Sequence, residues 1–506
     1  MTCSSLWGHM RVSQLASEVA GAAVGGGPDA RVDRVVYDSR LAAPGVLFVA
    51  IRGRRLDGHD FAADAAERGA AVAVERDLSL PPGTAWLRLA NTRAGLAELA
   101  AAVQGRPARR LLVAGVTGTE GKTTTTHMTA HVLERAGVPS GYLSTVAHRA
   151  DGSDQPNASG MTTMHAPEVQ EWLARMVAGG ARAAVVEATS HALDQDRVGA
   201  CDFDVAAFTN VFSDHLDYHG SLEAYRNAKA RLIDLCAAAA GKGVPKTAVL
   251  NRDDASYDAL AGRPIARRLS YGIESAADVR ATDLEPADGG TSFLIQVEGA
   301  SAPVRLRMAG RFNVSNALCA AASCLALGLT LEQVAAGLDD FPGVRGRLEP
   351  VELGQPFQVY VDFADSPLSL NNMLAAMRPA TRGRLMVMFG ATGRSDHGRA
   401  GMGRAAAEHA DFFVITTDDP VGEDPAELAR SVEAGVSGRR LGRDYEVVLD
   451  RAAAIRRVLA VAGAGDVVVL AGKGHEQTMM LAGGPVPWDD RAEAEAALRE
   501  LGLATR

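Results

Sequence analysis

The sequence predicts an α/β protein of three domains: a small N-terminal α/β domain, a central domain on a parallel sheet with a phosphate-binding loop, and a C-terminal Rossmann-like domain. Three observations carry this reading. The chain has 506 residues, about three domains at roughly 150 residues each. Two separate series of short apolar runs alternate with helical stretches, the pattern of βα units around parallel sheets. Two Pro/Gly-bearing stretches, a polar one at 105–110 and another at 341–346, interrupt that pattern and read as linkers.

From about residue 31 to 75, short β-like runs (35–36, 46–50) alternate with turns, and the segment stops before Pro81-Pro82-Gly83. An Ala/Leu-rich helix at 94–103 closes this part, giving an N-terminal domain of 1–107. In 108–343 the runs 111–116, 183–186, 205–208 and 247–250 each lead into a loop and then a helix. Alternating strands (292–297, 304–308) and an Ala-rich helix (314–327) follow them. In 344–506 a second series, 357–363, 385–389, 412–416, 446–449 and 467–470, predicts another doubly wound sheet.

Composition excludes several classes. Apolar residues make 47% and charged residues 22%, the balance of a globular protein rather than a disordered one. A net charge of -9 argues against a general affinity for nucleic acid or anionic membrane. Arg11, Glu18 and Asp29 break any signal-peptide core, and no stretch approaches ~18 apolar residues. A cytoplasmic location is expected, with monomer as the default state. The cysteines (Cys3, Cys201, Cys236, Cys319, Cys324) form no CxxC pair and read as reduced apolar fillers.

The run 111–116 leads into Thr117-Gly118-Thr119-Glu120-Gly121-Lys122-Thr123-Thr124, which opens a helix to about Arg135 with Gly137 as its stop. Glycines let backbone N–H groups approach phosphate oxygens, the helix N-terminus adds partial positive charge, and Lys122 adds a full one. Thr123 is placed to ligate magnesium. Val116 stands where the common GxxxxGKT form has its first glycine, with Gly115 and Gly118 on either side. A nucleoside triphosphate is the natural ligand, which suits a motor, a switch, a kinase or a ligase alike.

Glu187 ends the run 183–186, where parallel sheets place ligand groups. The loop Asn210-Val211-Phe212-Ser213-Asp214-His215-Leu216-Asp217-Tyr218-His219-Gly220 is dense in His and Asp at the same sheet edge. Lys229, taken alone, reads as a solvated surface lysine.

Together, TGTEGKTTTT, VEATSHAL, FTNVFSDHLDYHG, YRNAK, GRFNVSNAL, GRLEPV and AGKGHE closely resemble the Mur ligases of the MurE type. VYDSRLAAPGVLFVAIRG near the start and WDDR near the end extend the resemblance over essentially the whole chain. It implies an ATP-dependent ligase that phosphorylates a carboxylate, that of UDP-N-acetylmuramoyl-dipeptide, and couples it to an amino acid. By that resemblance Gly118, Thr119, Glu120, Gly121, Lys122, Thr123 and Thr124 bind ATP, joined by Asn316, Arg347 and Asp362. Thr123, Glu187, His215 and a carbamylated Lys229 hold magnesium, as two ions, and Lys122, Lys229, His215 and Glu187 form the catalytic set. Ser39, Arg40, Thr162, Thr163, Thr189 (a serine in the usual motif), Gln195 and Arg197 surround the UDP-linked substrate. Gly472 and Glu476 hold the α-amino end of the incoming amino acid.

Departures fall on the substrate side. Members that add meso-diaminopimelate carry DNPR, whereas this chain has Asp418-Asp419-Pro420-Val421. A second family arginine corresponds to Ser395, with Arg394 beside it as a substitute. A charge-assisted hydrogen bond is worth about 1.5–3 kcal/mol, so its loss weakens diaminopimelate binding at least ~10-fold. The sequence therefore predicts another amino acid, with a neutral or basic side chain such as lysine or ornithine. Phe363-Ala364-Asp365-Ser366-Pro367 replaces YAHTP, Met164-His165 replaces Pro-Glu, and Arg345 replaces a proline. These changes suggest a diverged paralogue and leave two rivals: the same acyl-phosphate chemistry on another carboxylate and amine in a natural-product pathway, or a catalytically silent nucleotide-binding scaffold.

Overall fold

β-Branched and aliphatic runs bounded by Gly, Pro and Asp become short strands, and the Ala-rich stretches between them become the helices that cover the sheet faces. The computed structural model describes residues 9–53, 56–287, 289–393 and 398–504. Packing divides the chain into two units. The first holds residues 1–282, 295–302 and 315–338, and the second 283–294, 303–314 and 339–506.

The first unit contains two sheets with separate cores. The N-terminal sheet has five strands in the order Ala23–Gly26, Ala85–Arg88, Ala71–Val74, Val46–Val49, Arg34–Val36. The last four run parallel, and Ala23–Gly26 is antiparallel. Side-chain alternation sends Leu47 and Val49 to one face and Phe48 to the other. Helix Thr92–Val103 starts two residues before the sequence expectation, because the Asn91 side chain accepts from the Arg93 and Ala94 N–H groups.

The stretch at 105–110, read from sequence as a linker, is ordered. Arg106 has φ +51° and its guanidinium donates to Glu18 at 2.8 Å and Glu98 at 2.9 Å, while Pro107–Arg110 forms a 3₁₀ turn.

In the central sheet the strands lie in the order Asp154–Pro156, Ala147–Arg149, Ser140–Leu143, Ala183–Glu187, Leu112–Thr117, Val205–Phe208, Thr247–Asn251, Arg267–Gly272. Strand Leu112–Thr117 lies between two parallel neighbours, so the loops leaving Thr117, Glu187 and Phe208 share its C-terminal edge. Strands Val279–Ala287, Gly290–Val297 and Ala300–Leu306 and helix Arg311–Ala326 follow. The sequence missed Ala147–Arg149, Asp154–Pro156, Arg267–Gly272 and Val279–Ala287, whose frequent polar residues leave no apolar run, and also the short Ser140–Leu143.

The second unit carries a sheet in the order Glu349–Pro350, Gln358–Asp362, Val467–Ala471, Leu385–Ala391, Phe412–Thr417, Tyr445–Val447. All pair in parallel except the edge strand Glu349–Pro350. Leu385, Val387 and Phe389 face one core and Met386 and Met388 the other, so both sheet faces are covered. Among the described residues no helix is long and apolar enough to cross a membrane.

Candidate active site

The phosphate loop is held from behind by the loop that leaves Phe208. Thr119 N–H donates to the Asn210 carbonyl at 2.9 Å, and Glu120 N–H to the Asn210 side-chain oxygen at 2.9 Å. Tyr225 O–H donates to Thr119 Oγ1 at 3.2 Å. Gly121, at φ +79°, caps helix Lys122–Arg135, and a Cβ there would lie 2.1 Å from Asn316 Oδ1. Asn316 is therefore seated against the loop. A Cβ on Gly118 would lie 1.8 Å from Thr209 Oγ1, so both glycines answer to close approach. Lys122 Nζ donates to the Thr119 carbonyl at 2.7 Å, folded over its own loop, and Thr124 is buried behind it.

Glu187 is buried and receives three kinds of donor. Thr123 Oγ1 donates to its two oxygens at 3.0 and 3.1 Å, Thr145 Oγ1 to both at 3.1 Å, and Thr145 N–H at 2.9 Å. Hydroxyl and carboxylate oxygens converging in this way are the hard donors that suit magnesium. Among the described residues no three His, Cys, Asp or Glu side chains stand together as a metal cage. His215 is half exposed, at φ +50°, with Asp214 at 3.5 Å and the His191 ring edge-on at 4.9 Å.

Lys229 corrects the sequence reading of a solvated lysine. It lies on helix Leu222–Ala238 with 1% exposure, its Nζ donates to the Gly118 carbonyl at 2.6 Å, and it stands 4.5 Å from the centre of the Tyr225 ring. Burial first, then the charge of Lys122, push its amine well below the usual lysine range, against the pull of Asp214 and Glu187. A buried amine of this kind is neutral more readily and therefore nucleophilic.

The substrate-side residues form one network with Glu187. Thr162 Oγ1 lies 3.2 Å from Thr145 Oγ1, and Thr163 Oγ1 donates to the Glu187 carbonyl at 2.8 Å. Thr189 caps helix Ser190–Asp194 and receives the Ala192 N–H at 3.2 Å. Arg197 donates to the Thr163 carbonyl at 2.9 Å and to Gln195 Oε1 at 2.7 Å, and Gln195 donates to Tyr218 O–H at 3.1 Å. Ser39 and Arg40 lie apart, in the 3₁₀ turn Ser39–Leu41, with the Arg40 side chain exposed and paired to Asp38. Their neighbour Tyr37 spans the gap: its ring centre lies 4.3 Å from that of His165, tilted by 44°, and its O–H donates to Glu168 at 3.3 Å.

The remaining predicted residues belong to the second unit. Asp362 is buried and accepts from the N–H groups of Leu348 at 2.8 Å and Ala364 at 2.9 Å; burial raises its carboxyl. The Arg347 guanidinium lies 4.8 Å from the centre of the Phe363 ring. Asp418 is buried beside Gly472, whose φ is +113° and where a Cβ would lie 2.2 Å from Asp418 Oδ2. Burial pushes the Asp418 carboxyl up to about 7, opposed by Arg451 and Lys473. Asp419 accepts from Lys473 Nζ at 2.8 Å and the Met480 N–H at 2.9 Å, and Lys473 also bridges to Glu476. Val421 is exposed at φ +49°. Arg394 and Ser395 lie outside the described residues.

Sequence reasoning missed three residues that engage these groups or their supports. Lys473 sits inside the quoted AGKGHE run, which was the available signal, and its burial beside Asp419 and Glu476 is seen only in the fold. Thr145 belongs to no motif, and only the fold brings it to Glu187. Arg451 reaches Asp490 from 39 residues away and gives no local pattern.

A loop with the features that cradle phosphate, on a parallel sheet and followed by a Rossmann-like unit, fits a nucleotide-using enzyme, and comparison with known families makes that enzyme an ATP-dependent ligase joining an acid to an amino acid. Family models make the class specific: the Mur ligase family catalytic domain matches residues 31–103, the Mur ligase middle domain 116–324, and the Mur ligase glutamate ligase domain 346–474. The chain belongs to the Mur ligase family. It is 43% identical over 487 residues to a UDP-N-acetylmuramyl-tripeptide synthetase of Roseiflexus sp. (strain RS-1), covering 92% of this chain and 94% of the relative. It is 41% identical over 483 residues to a UDP-N-acetylmuramoyl-L-alanyl-D-glutamate--2,6-diaminopimelate ligase of Geobacillus kaustophilus (strain HTA426), covering 94% and 96%. A solved structure of a ligase bearing that second name aligns with a TM-score of 0.68 at 28% identity, covering 93% of this chain and 96% of that one.

Proposed function

We propose that this ligase transfers the γ-phosphoryl group of ATP to the carboxylate of a UDP-N-acetylmuramoyl-dipeptide and couples the acyl phosphate to an amino acid other than meso-diaminopimelate. The carboxylate oxygen bonds to γ-phosphorus as ADP leaves. The amine nitrogen then bonds to the acyl carbon, phosphate leaves, and the amine loses a proton to solvent. The observation that carries this reading is the buried Lys229 amine at the Gly118 carbonyl, behind a phosphate loop whose Thr123 reaches Glu187. The names of the relatives at about 40% identity support the acyl substrate.

In this reading Lys122 exchanges the Thr119 carbonyl for phosphate oxygens, with Gly118, Thr119, Glu120, Gly121, Thr123 and Thr124 lining the loop. Asn316, Arg347 and Asp362 complete the ATP site. Carbon dioxide adding to the neutral Lys229 amine, with loss of a proton, would give a carbamate whose anionic oxygen, with Thr123, Glu187 and His215, would hold magnesium. Magnesium, when bound, neutralises charge on the phosphates. Ser39, Arg40, Thr162, Thr163, Thr189, Gln195 and Arg197 receive the UDP-linked peptide. Gly472, Glu476, Asp418, Asp419, Val421, Arg394 and Ser395 receive the amino acid. We also assign the domain boundaries 1–107, 108–343 and 344–506, a role in peptidoglycan synthesis and a cytoplasmic location on the strength of the family.

Phosphate release, screened with every amino acid against a panel of UDP-sugar peptides, tests the proposal. Turnover is expected with UDP-N-acetylmuramoyl-dipeptide and an amino acid with a neutral or basic side chain. Efficient use of meso-diaminopimelate would overturn the amino-acid assignment. A second reading, another carboxylate and amine in a natural-product pathway, is favoured by His165, whose ring packs against Tyr37 where the resemblance places glutamate. It predicts no thermal stabilisation by UDP-N-acetylmuramoyl-dipeptide, whereas the leading reading expects about 2.7 kcal/mol at a hundredfold excess over Kd. A silent scaffold would bind ATP without amino-acid-dependent ADP release.

A further inference from the structure

We propose that Arg451 is a positioning residue: it staples together the two strand ends whose following loops receive the amino acid, without touching the amino acid. The inference rests on the proposed function for what the loops bind, and on geometry alone for the staple.

Arg451 opens helix Arg451–Ala460, and its side chain is 1% exposed. Its Nε donates to Asp490 Oδ1 at 2.8 Å and Nη2 to Asp490 Oδ2 at 2.6 Å, a two-pronged pair that fixes the plane of the guanidinium. The fork then reaches two backbone carbonyls: Nη1 donates to Thr417 at 3.1 Å and Nη2 to Ala471 at 2.9 Å. Those are the last residues of strands Phe412–Thr417 and Val467–Ala471.

The two strands are not neighbours. Leu385–Ala391 lies between them and pairs with both, so no ladder hydrogen bond joins one to the other. Arg451 supplies that link at the sheet edge. The next residues along the chain are Asp418 and Gly472, which touch closely enough that Gly472 tolerates no Cβ. Farther out, Lys473 ties Asp419 to Glu476. The inner tie sets the separation of the two loops, and the outer one sets the aim of Glu476. Trp488 Nε1 donates to Asp490 Oδ1 at 2.8 Å, which holds the acceptor of the staple in place.

Arg451→Lys keeps a cation for Asp490 but has no planar fork with which to hold both carbonyls. Arg451→Met combined with Asp490→Leu removes the ion pair as a unit, so Asp490 is not stranded and Asp418 keeps Lys473 as its neighbouring cation, and folding is retained while the carbonyl links are lost. Misplacement of a binding group by about 1 Å costs up to about a hundredfold. For both variants KM for the amino acid should therefore rise about 10- to 100-fold, with KM for ATP and for the UDP-peptide within about twofold of wild type.

Steady-state phosphate release with L-lysine and with L-ornithine as probes reads this split. Hydrogen–deuterium exchange should in parallel show faster exchange in 418–423 and 472–480 and no change in the central sheet. Equal rises in all three KM values, or a double variant with wild-type amino-acid KM, would overturn the assignment. If neither probe supports turnover by the wild-type protein, the reading of function fails in that form, and exchange decides the staple: unchanged protection of both loops overturns it.

Discussion

Gly121→Ala is the sharpest test of how the phosphate loop is built. At φ +79° an alanine costs about 1–2 kcal/mol in the left-handed region. Its Cβ would also stand 2.1 Å from Asn316 Oδ1, and Asn316 is buried and has little room to turn away. Overpacking of that kind costs typically about 1–3 kcal/mol, so the sum is about 2–5 kcal/mol. Urea titration of the variant followed by circular dichroism should show that loss, and KM for ATP should rise because the loop N–H groups shift. Adding Asn316→Ala removes the clash and leaves the backbone strain, so the double variant should regain the overpacking share relative to Gly121→Ala. If Gly121→Ala unfolds within about 0.5 kcal/mol of wild type with unchanged KM for ATP, the packing argument for this loop is wrong.

Other outcomes follow from neighbouring groups. Lys229→Ala should abolish phosphate release, and added bicarbonate or formate should restore part of it by refilling the oxygen position; unimpaired activity would remove the carbamate. Val421→Arg should replace a β-branched residue at φ +49° with a longer, unbranched one and bring back a carboxylate clamp, so meso-diaminopimelate use should rise at least ~10-fold in kcat/KM. Asp418 gives a pH test. Its folded carboxyl titrates at about 7 against ~3.9 when unfolded, so between these values the folded state keeps a proton the unfolded state has lost. The stability this group contributes is present below ~3.9 and is lost as pH rises toward 7. Asp418→Asn should flatten that slope, measured as urea midpoints at pH 5 and pH 7.5.

Much of the fold could be read because burial on both faces of a parallel sheet leaves continuous apolar runs. Expected strands 111–116, 205–208 and 467–470 match Leu112–Thr117, Val205–Phe208 and Val467–Ala471 to within a residue, and the helix opened by Lys122 ends at Arg135 as predicted. The conformation of the loop from Gly118 to Thr124 was legible as well, because its glycines and the helix start at Lys122 lie in one short segment. Long-range partners were not. Nothing near Thr145 announces Glu187, 42 residues away, and a helix residue such as Lys229 reveals its burial only when Gly118 arrives 111 residues earlier in the chain. The Asp418 and Asp419 pair, suggestive of a specificity pocket in sequence, turns out to be largely engaged by Lys473, Met480 and the close approach of Gly472.

The clasp at Arg106 bears on any attempt to cut the chain into pieces. A protease or truncation aimed at 105–110 meets a segment already fastened to Glu18 and Glu98. The core of the N-terminal sheet also includes Ala166 and Ala200, which belong to the neighbouring sheet's stretch of sequence. A fragment ending at residue 107 would leave that side uncovered in water, and it should clump where the longer fragment, carried through both sheets, stays dispersed.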